Sequence, residues 1–114
     1  MKFERFEDIQ AWQKAKLLSV RIYNVFESSK DYSFKDQIQR ASVSIMNNIA
    51  EGFERRSNNE FKHFLFIAKG SCGEVRSMLY LAKDLCKINE NTFSELYKLS
   101  EETSKILSGF IKTL

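Results

Sequence analysis

The sequence contains no proline and only four glycines. Without proline nothing interrupts a helical hydrogen-bond ladder, and few glycines leave few points of backbone looseness. Long, continuous helices are therefore expected. Histidine is nearly missing: His63 is the only one. No serine or cysteine then has an obvious activating base, which argues against nucleophilic catalysis. The two cysteines, Cys72 and Cys86, are fourteen residues apart on one apolar helix face. Their backbones would lie roughly 21 Å apart at the helical rise per residue, too far for a disulfide. Both are expected to be core thiols in a reducing compartment. No apolar run approaches the length of a membrane span. The opening MKFERFEDIQ has no apolar targeting segment. A cytoplasmic protein with no membrane role is expected.

What is present is ordinary globular material. Hydrophobic residues make up 43% and charged residues 29% of 114 positions, enough for one domain, residues 1–114, with a real core. The net charge of +3 and pI near 8.9 permit nucleic-acid or other anionic partners without requiring them.

Apolar periodicity near 3.6 residues divides the chain into helices at about 7–28, 33–56, 58–87 and 90–113. In the first, Ala11, Trp12, Ala15, Leu18, Ile22, Val25 and Phe26 share a face, and Glu7 and Asp8 suit its positive end. Ser33 is the expected cap of the second helix, with Asp36 completing a capping box. Ser57 and Glu60 form a capping box for the third, and Asn89 caps the fourth. Alternation of the β-strand kind persists nowhere. Short connections between four helices predict an all-α, up-down-up-down four-helix bundle.

The second helix carries two apolar stripes. Phe34, Ile38, Ala41, Ile45 and Ile49 make one; Val43, Met46, Ala50 and Phe53 make another. Together they cover about half the helix, wider than the roughly 100° arc one small bundle buries. Val43, Met46, Ala50 and Phe53 are therefore expected at an oligomer interface.

The third helix carries a basic row, Lys62, Lys69, Arg76 and Lys83, spaced seven residues apart, with Phe66, Gly73 and Tyr80 beside it. Seven residues are almost two turns, so the cations align along one edge. Lys87 extends the row. Lys14 and Arg21 make a shorter version on the first helix, and Arg55 and Arg56 add charge at a helix end. Cations tracking a backbone with aromatics between them suit single-stranded nucleic acid. A solvated surface is the alternative. Arg40, Asn48 and Glu51 are expected to cluster with Ser71 and Glu74 of the neighbouring helix, as a buried network that sets register or as a ligand or RNA cleft. On the third helix Phe64, Ile67, Met78, Leu81 and Leu85 widen the apolar stripe as on the second, and Glu74, which falls inside that arc, is expected to be paired or at a subunit contact. Glu60 and His63 have di-iron spacing, but a real site needs a second such motif, so no metal or other cofactor is expected. Lys69-Gly70-Ser71 is similar to phosphotransfer bundles, yet Phe66 stands where the phosphorylated histidine would be.

Finally, Arg40-Ala41-Ser42-Val43-Ser44-Ile45, Asn48-Ile49-Ala50-Glu51-Gly52, Gly70-Ser71 with Glu74 and Leu79, and Phe6-Glu7-Asp8-Ile9-Gln10-Ala11-Trp12-Gln13-Lys14-Ala15 together form a signature. It resembles, nearly end to end, the bacterial four-helix family named for proteins encoded in intervening sequences of 23S ribosomal RNA genes. The resemblance implies a ring-like homopentamer with no carried-over catalytic residue. Relatives include accessory subunits of diversity-generating retroelements, basic pentamers that bind nucleic acid and associate with a reverse transcriptase. Relatives often have proline where this chain has Met46, so a kink there is not expected. The functional expectation is a non-enzymatic, homo-oligomeric scaffold that binds RNA or DNA weakly through its basic row. A protein-protein assembly module with no nucleic-acid role is the alternative.

Overall fold

The computed structural model describes residues 3–114, and among these every regular element is helical. A 3-10 turn at Phe6–Asp8 leads into α1 (Gln10–Phe26), α2 (Tyr32–Phe53), α3 (Asn58–Asp84) and α4 (Glu90–Lys112). The molecule measures 43 × 22 × 19 Å. Its long axis is set by α3, whose 27 residues span about 40 Å at the helical rise.

Cross-helix contacts fix the directions. Gln37 and Ser44 of α2 meet Glu74 and Ser71 of α3. Cys72 meets Ser100 and Lys83 meets Glu90 between α3 and α4. Lys14 and Arg21 reach Glu102 and Glu95 between α1 and α4. In each pair one number rises as the other falls, so neighbours are antiparallel, and α4 closes the bundle against α1. Leu18, Ile22, Ile38, Ile45, Ile49, Leu65, Leu79, Leu96 and Leu107 are fully buried along its axis.

The helix ends differ from the sequence expectation in physically instructive ways. Glu7 and Asp8 lie in the 3-10 turn, and α1 begins only after Ile9, which is buried in the core. Burying Ile9 requires the extended backbone seen there, and that postpones the helix. The second helix is capped by Asp31 rather than Ser33: the Phe34 N–H donates to Asp31 Oδ1 at 3.2 Å. Asp31 also holds Lys87 Nζ at 3.0 Å, a contact Ser33 has no charge to make. Asp36, expected in the capping box, instead pairs with Arg40 at 2.9 Å. The capping box at Ser57 and the cap at Asn89 form where the sequence places them.

α2 runs unbroken through Met46 and stops at Phe53, because the chain must turn for α3 to pack back. α3 ends at Asp84, short of Lys87, in a Schellman turn: the Lys87 N–H donates to the Ala82 carbonyl at 2.8 Å and the Cys86 N–H to that of Lys83 at 3.0 Å. Cys86 takes the left-handed position of this motif, φ 57°, where glycine is usual. That geometry exposes Cys86, so only Cys72 is the core thiol expected of both.

The α2–α3 turn is closed by Gly52. A methyl group there would stand 2.6 Å from Phe64 Cβ and 3.0 Å from Phe61 Cδ1. Gly70, by contrast, has nothing within 4 Å of where a methyl would be. Gly52→Ala should therefore destabilise the protein by about 1–3 kcal/mol through overpacking. Gly70→Ala should add up to about 1 kcal/mol of helix propensity. Urea unfolding of both variants checks the opposite signs.

The Asp31 carboxyl is held below its ordinary value of 3.8, chiefly by the hydrogen bond from Lys87 and then by the Phe34 N–H. A lowered folded pKa contributes stability that is complete above the unfolded value and is lost as pH falls through the folded one. Asp31→Asn keeps the capping acceptor but removes the charge. Its melting temperature should lie below wild type at neutral pH, with the gap closing as pH falls below about 3.8. Thermal melts at stepped pH test this.

Candidate nucleic-acid interface

The basic row of α3 faces α4. Lys69 and Arg76 line a groove of about 510 Å³ between the two helices, together with Tyr97, Glu101, Ser104, Lys105, Ser108, Gly109 and Lys112. Lys83, one repeat further, lies 3.9 Å from Glu90 of α4 and stacks over the Phe93 ring at 4.2 Å. Lys62 continues the row at its other end, half-buried. Lys87 does not extend it, since its ammonium turns toward α2, to Asp31 and over the Phe34 ring.

Lys105 and Lys112 are the cations the sequence reading misses. The signal was available: Lys98, Lys105 and Lys112 recur every seven residues along α4, as the α3 cations do. In the groove four cations face one carboxylate. Lys105 approaches that carboxylate, Glu101, at 3.9 Å. Lys69, Arg76 and Lys112 make no ion pair among the described residues. Unneutralised charge converging on a concave surface draws anions more strongly than isolated surface lysines do.

The other predicted cations lie elsewhere. Lys14 and Arg21 pair with Glu102 and Glu95 at 3.7 and 3.2 Å across the α1–α4 seam. So α4 turns Glu95 and Glu102, with Lys98, toward α1, and Lys105 and Lys112, with Glu101, toward α3. Arg55 pairs with Glu51 at 3.2 Å and lies over the Phe64 ring at 4.8 Å, beside exposed Arg56 at the α2–α3 turn. The eight candidate cations thus divide among three places rather than forming one surface.

Aromatic rings flank the basic row as the spacing predicts. Phe66 is 54% and Tyr80 48% exposed. Tyr80 packs against Phe93 and Tyr97 with centroids 5.2 and 5.4 Å away.

Of the expected polar cluster, the structure joins only Asn48 and Ser71, through Ser44. The two serine hydroxyls are 2.9 Å apart, and Asn48 Nδ2 donates to the Ser44 carbonyl and hydroxyl at 2.8 and 3.0 Å. Arg40 is turned to Asp36, and Glu51 to Arg55. Glu74 is exposed, accepting a long 3.4 Å bond from Gln37. Long charged side chains at the edge of a buried arc reach water by bending outward, which periodicity does not reveal.

Val43, Met46, Ala50 and Phe53 are all half-buried within the chain. Met46 and Phe53 pack on the chain's own core, Phe53 edge-on to Phe61 at 5.9 Å. Most large apolar side chains left in solvent lie on other helices: Leu17, Val20 and Tyr23 on α1, and Phe66, Ile67, Tyr80 and Leu81 on α3, with Leu85 just beyond its end; on α2 it is Tyr32, at the first position.

Burial pushes the Cys72 thiol up to about 12, with the Arg76 charge pulling weakly the other way, so it stays protonated. His63 is exposed with its ring edge-on to Phe64, and Glu60 is hydrogen-bonded to Ser57 in the capping box.

Among curated proteins no match is found. Among solved structures, the chain is similar to a protein of unknown function from the S23 ribosomal protein family of Bacteroides thetaiotaomicron. The two share 27% identity and a TM-score of 0.84, with 90% of this chain and 98% of that one covered. The sequence matches the family described as 23S rRNA-intervening sequence protein over residues 7–109, which takes in all of α1, α2 and α3 and most of α4, and the chain belongs to that family.

Proposed function

We propose that this protein is a non-enzymatic, cytoplasmic scaffold that self-associates and binds nucleic acid, RNA in the first instance, weakly through the α3–α4 face. The observation that carries this is the convergence of Lys69, Arg76, Lys105 and Lys112 on one groove, most of their charge unneutralised. Charge of this kind binds a phosphate backbone without reading sequence, and by releasing counterions it makes the affinity fall steeply with salt. Exposed Phe66 and Tyr80 beside the row offer stacking surfaces for unpaired bases. Self-association is supported by the apolar side chains exposed on α1 and α3, a cost in water that a second copy would relieve. The same apolar rows favour a second reading, an assembly module that binds only protein, a reverse transcriptase among the candidates. A ring of five subunits, the number implied by the family resemblance, would repeat the groove and strengthen weak binding by avidity.

Light scattering should return a mass several times the 13.4 kDa protomer. Anisotropy with single-stranded RNA should show binding that weakens as salt rises. Lys62→Glu with Lys69→Glu should reduce affinity at least tenfold and flatten the salt dependence. Lys14→Gln with Arg21→Gln, which removes already paired cations, should change the salt slope little. An oligomer that ignores RNA would leave the assembly-module reading, and a monomer would remove the self-association account.

A further inference from the structure

Arg76 differs from every other cation of the face. It is half-buried, and its Nη1 has no exposed surface and no hydrogen-bond partner among the described residues. A guanidinium is always charged and carries five donors, so a buried, unpaired nitrogen costs desolvation with nothing gained in return. Its other terminal nitrogen, Nη2, lies beside Gly73: a methyl group built on Gly73 would be 3.9 Å from Nη2 and would meet nothing else. Glycine in mid-helix costs stability, and no packing within the chain requires it here. What Gly73 does is leave one edge of the guanidinium uncovered.

The opposite wall of the groove supplies Ser104, Ser108 and Lys112 from α4, with Lys69 two turns away on α3. Hydroxyls and ammoniums around a forked guanidinium are the donors that oxygens of one phosphate accept from. Glu101 is the one opposing group, and its charge is directed partly to Lys105. Resting on the nucleic-acid reading above, we propose that Arg76 is the seat of a single backbone phosphodiester of the bound strand. Rotation about its last torsions turns both terminal nitrogens to the phosphate oxygens, and Gly73 keeps the approach open. The rest of the row acts by charge alone. The face then has a fixed register point rather than a uniform stripe.

The test uses the full-length protein in its native assembly, a fluorescent oligouridylate as probe, and anisotropy across a salt series. Arg76→Lys keeps the charge but loses the fork. It should weaken binding about tenfold with the salt slope unchanged, since slope follows the number of charges and not their geometry. Gly73→Leu adds a good helix former over the open edge. It should raise the melting temperature while weakening binding several-fold, a divergence that a merely structural residue would not produce. Lys112→Gln, in the exposed last turn of α4, should reduce the salt slope by about one. Arg76→Lys binding as tightly as wild type would overturn the seat while leaving the scaffold reading intact. Wild-type protein that does not bind the oligonucleotide at any salt would overturn both. Light scattering on each variant ensures that a change of assembly is not mistaken for a change of site.

Discussion

The close packing of α2 on α3 at Gly52 is the constraint from which the rest of the molecule follows. With no side chain at that position, the Phe61 and Phe64 rings of α3 seat against the backbone of α2. The capping box of Ser57 and Glu60 starts α3 within four residues of the end of α2. Neither could hold the turn alone. A cap stabilises a helix start but does not aim it, and a glycine admits a close approach without starting a helix. Together they set the register that brings Ser44, held by Asn48 of its own helix, opposite Ser71.

Once α3 is fixed by α2, its remaining sides are assigned. One flank takes α4, and its spacing turns Lys69 and Arg76 into the seam between them. Because α4 is antiparallel, Lys105 and Lys112 of its seven-residue repeat meet Lys69 and Arg76 of α3 in one concave basic groove, while Lys98 falls on the α1 side beside Arg21 and Glu95. The acidic positions of α4, Glu95 and Glu102, fall on its other edge and neutralise Lys14 and Arg21. Such exposed pairs stabilise little, on the order of 1 kcal/mol or less each. Their consequence is electrostatic layout: Lys14 and Arg21 are neutralised, while Lys69, Arg76 and Lys112 make no ion pair among the described residues.

The all-α class and the helix count are legible in the sequence, because helical periodicity is local and no proline interrupts it. The caps at Ser57 and Asn89 are legible for the same reason. The cap at Asp31 is not, since its advantage over Ser33 comes partly from Lys87, which is remote in sequence and adjacent only after folding. The basic row is legible as a row, while its partner on α4 requires knowing which edge of α4 faces α3. Val43, Met46, Ala50 and Phe53 read as an oligomer interface, and within the chain Met46 and Phe53 pack partly on the core while all four stay half-buried. A width of apolar arc says how much a helix buries but not against what.

Four helices, two of their starts, a mild positive charge and the alignment of Lys62, Lys69, Arg76 and Lys83 on one edge follow from the amino-acid order alone. These depend on spacing along a helix of known period, which folding does not alter. It took the folded molecule to show which cations are unpaired among the described residues, that Ser71 bonds Ser44 while Glu74 stands in solvent, and that one Arg76 nitrogen is buried with no partner among those residues, beside an open glycine. Those facts depend on the faces that neighbouring helices present to each other. That choice is made by the packing of the whole core and is written at no single position.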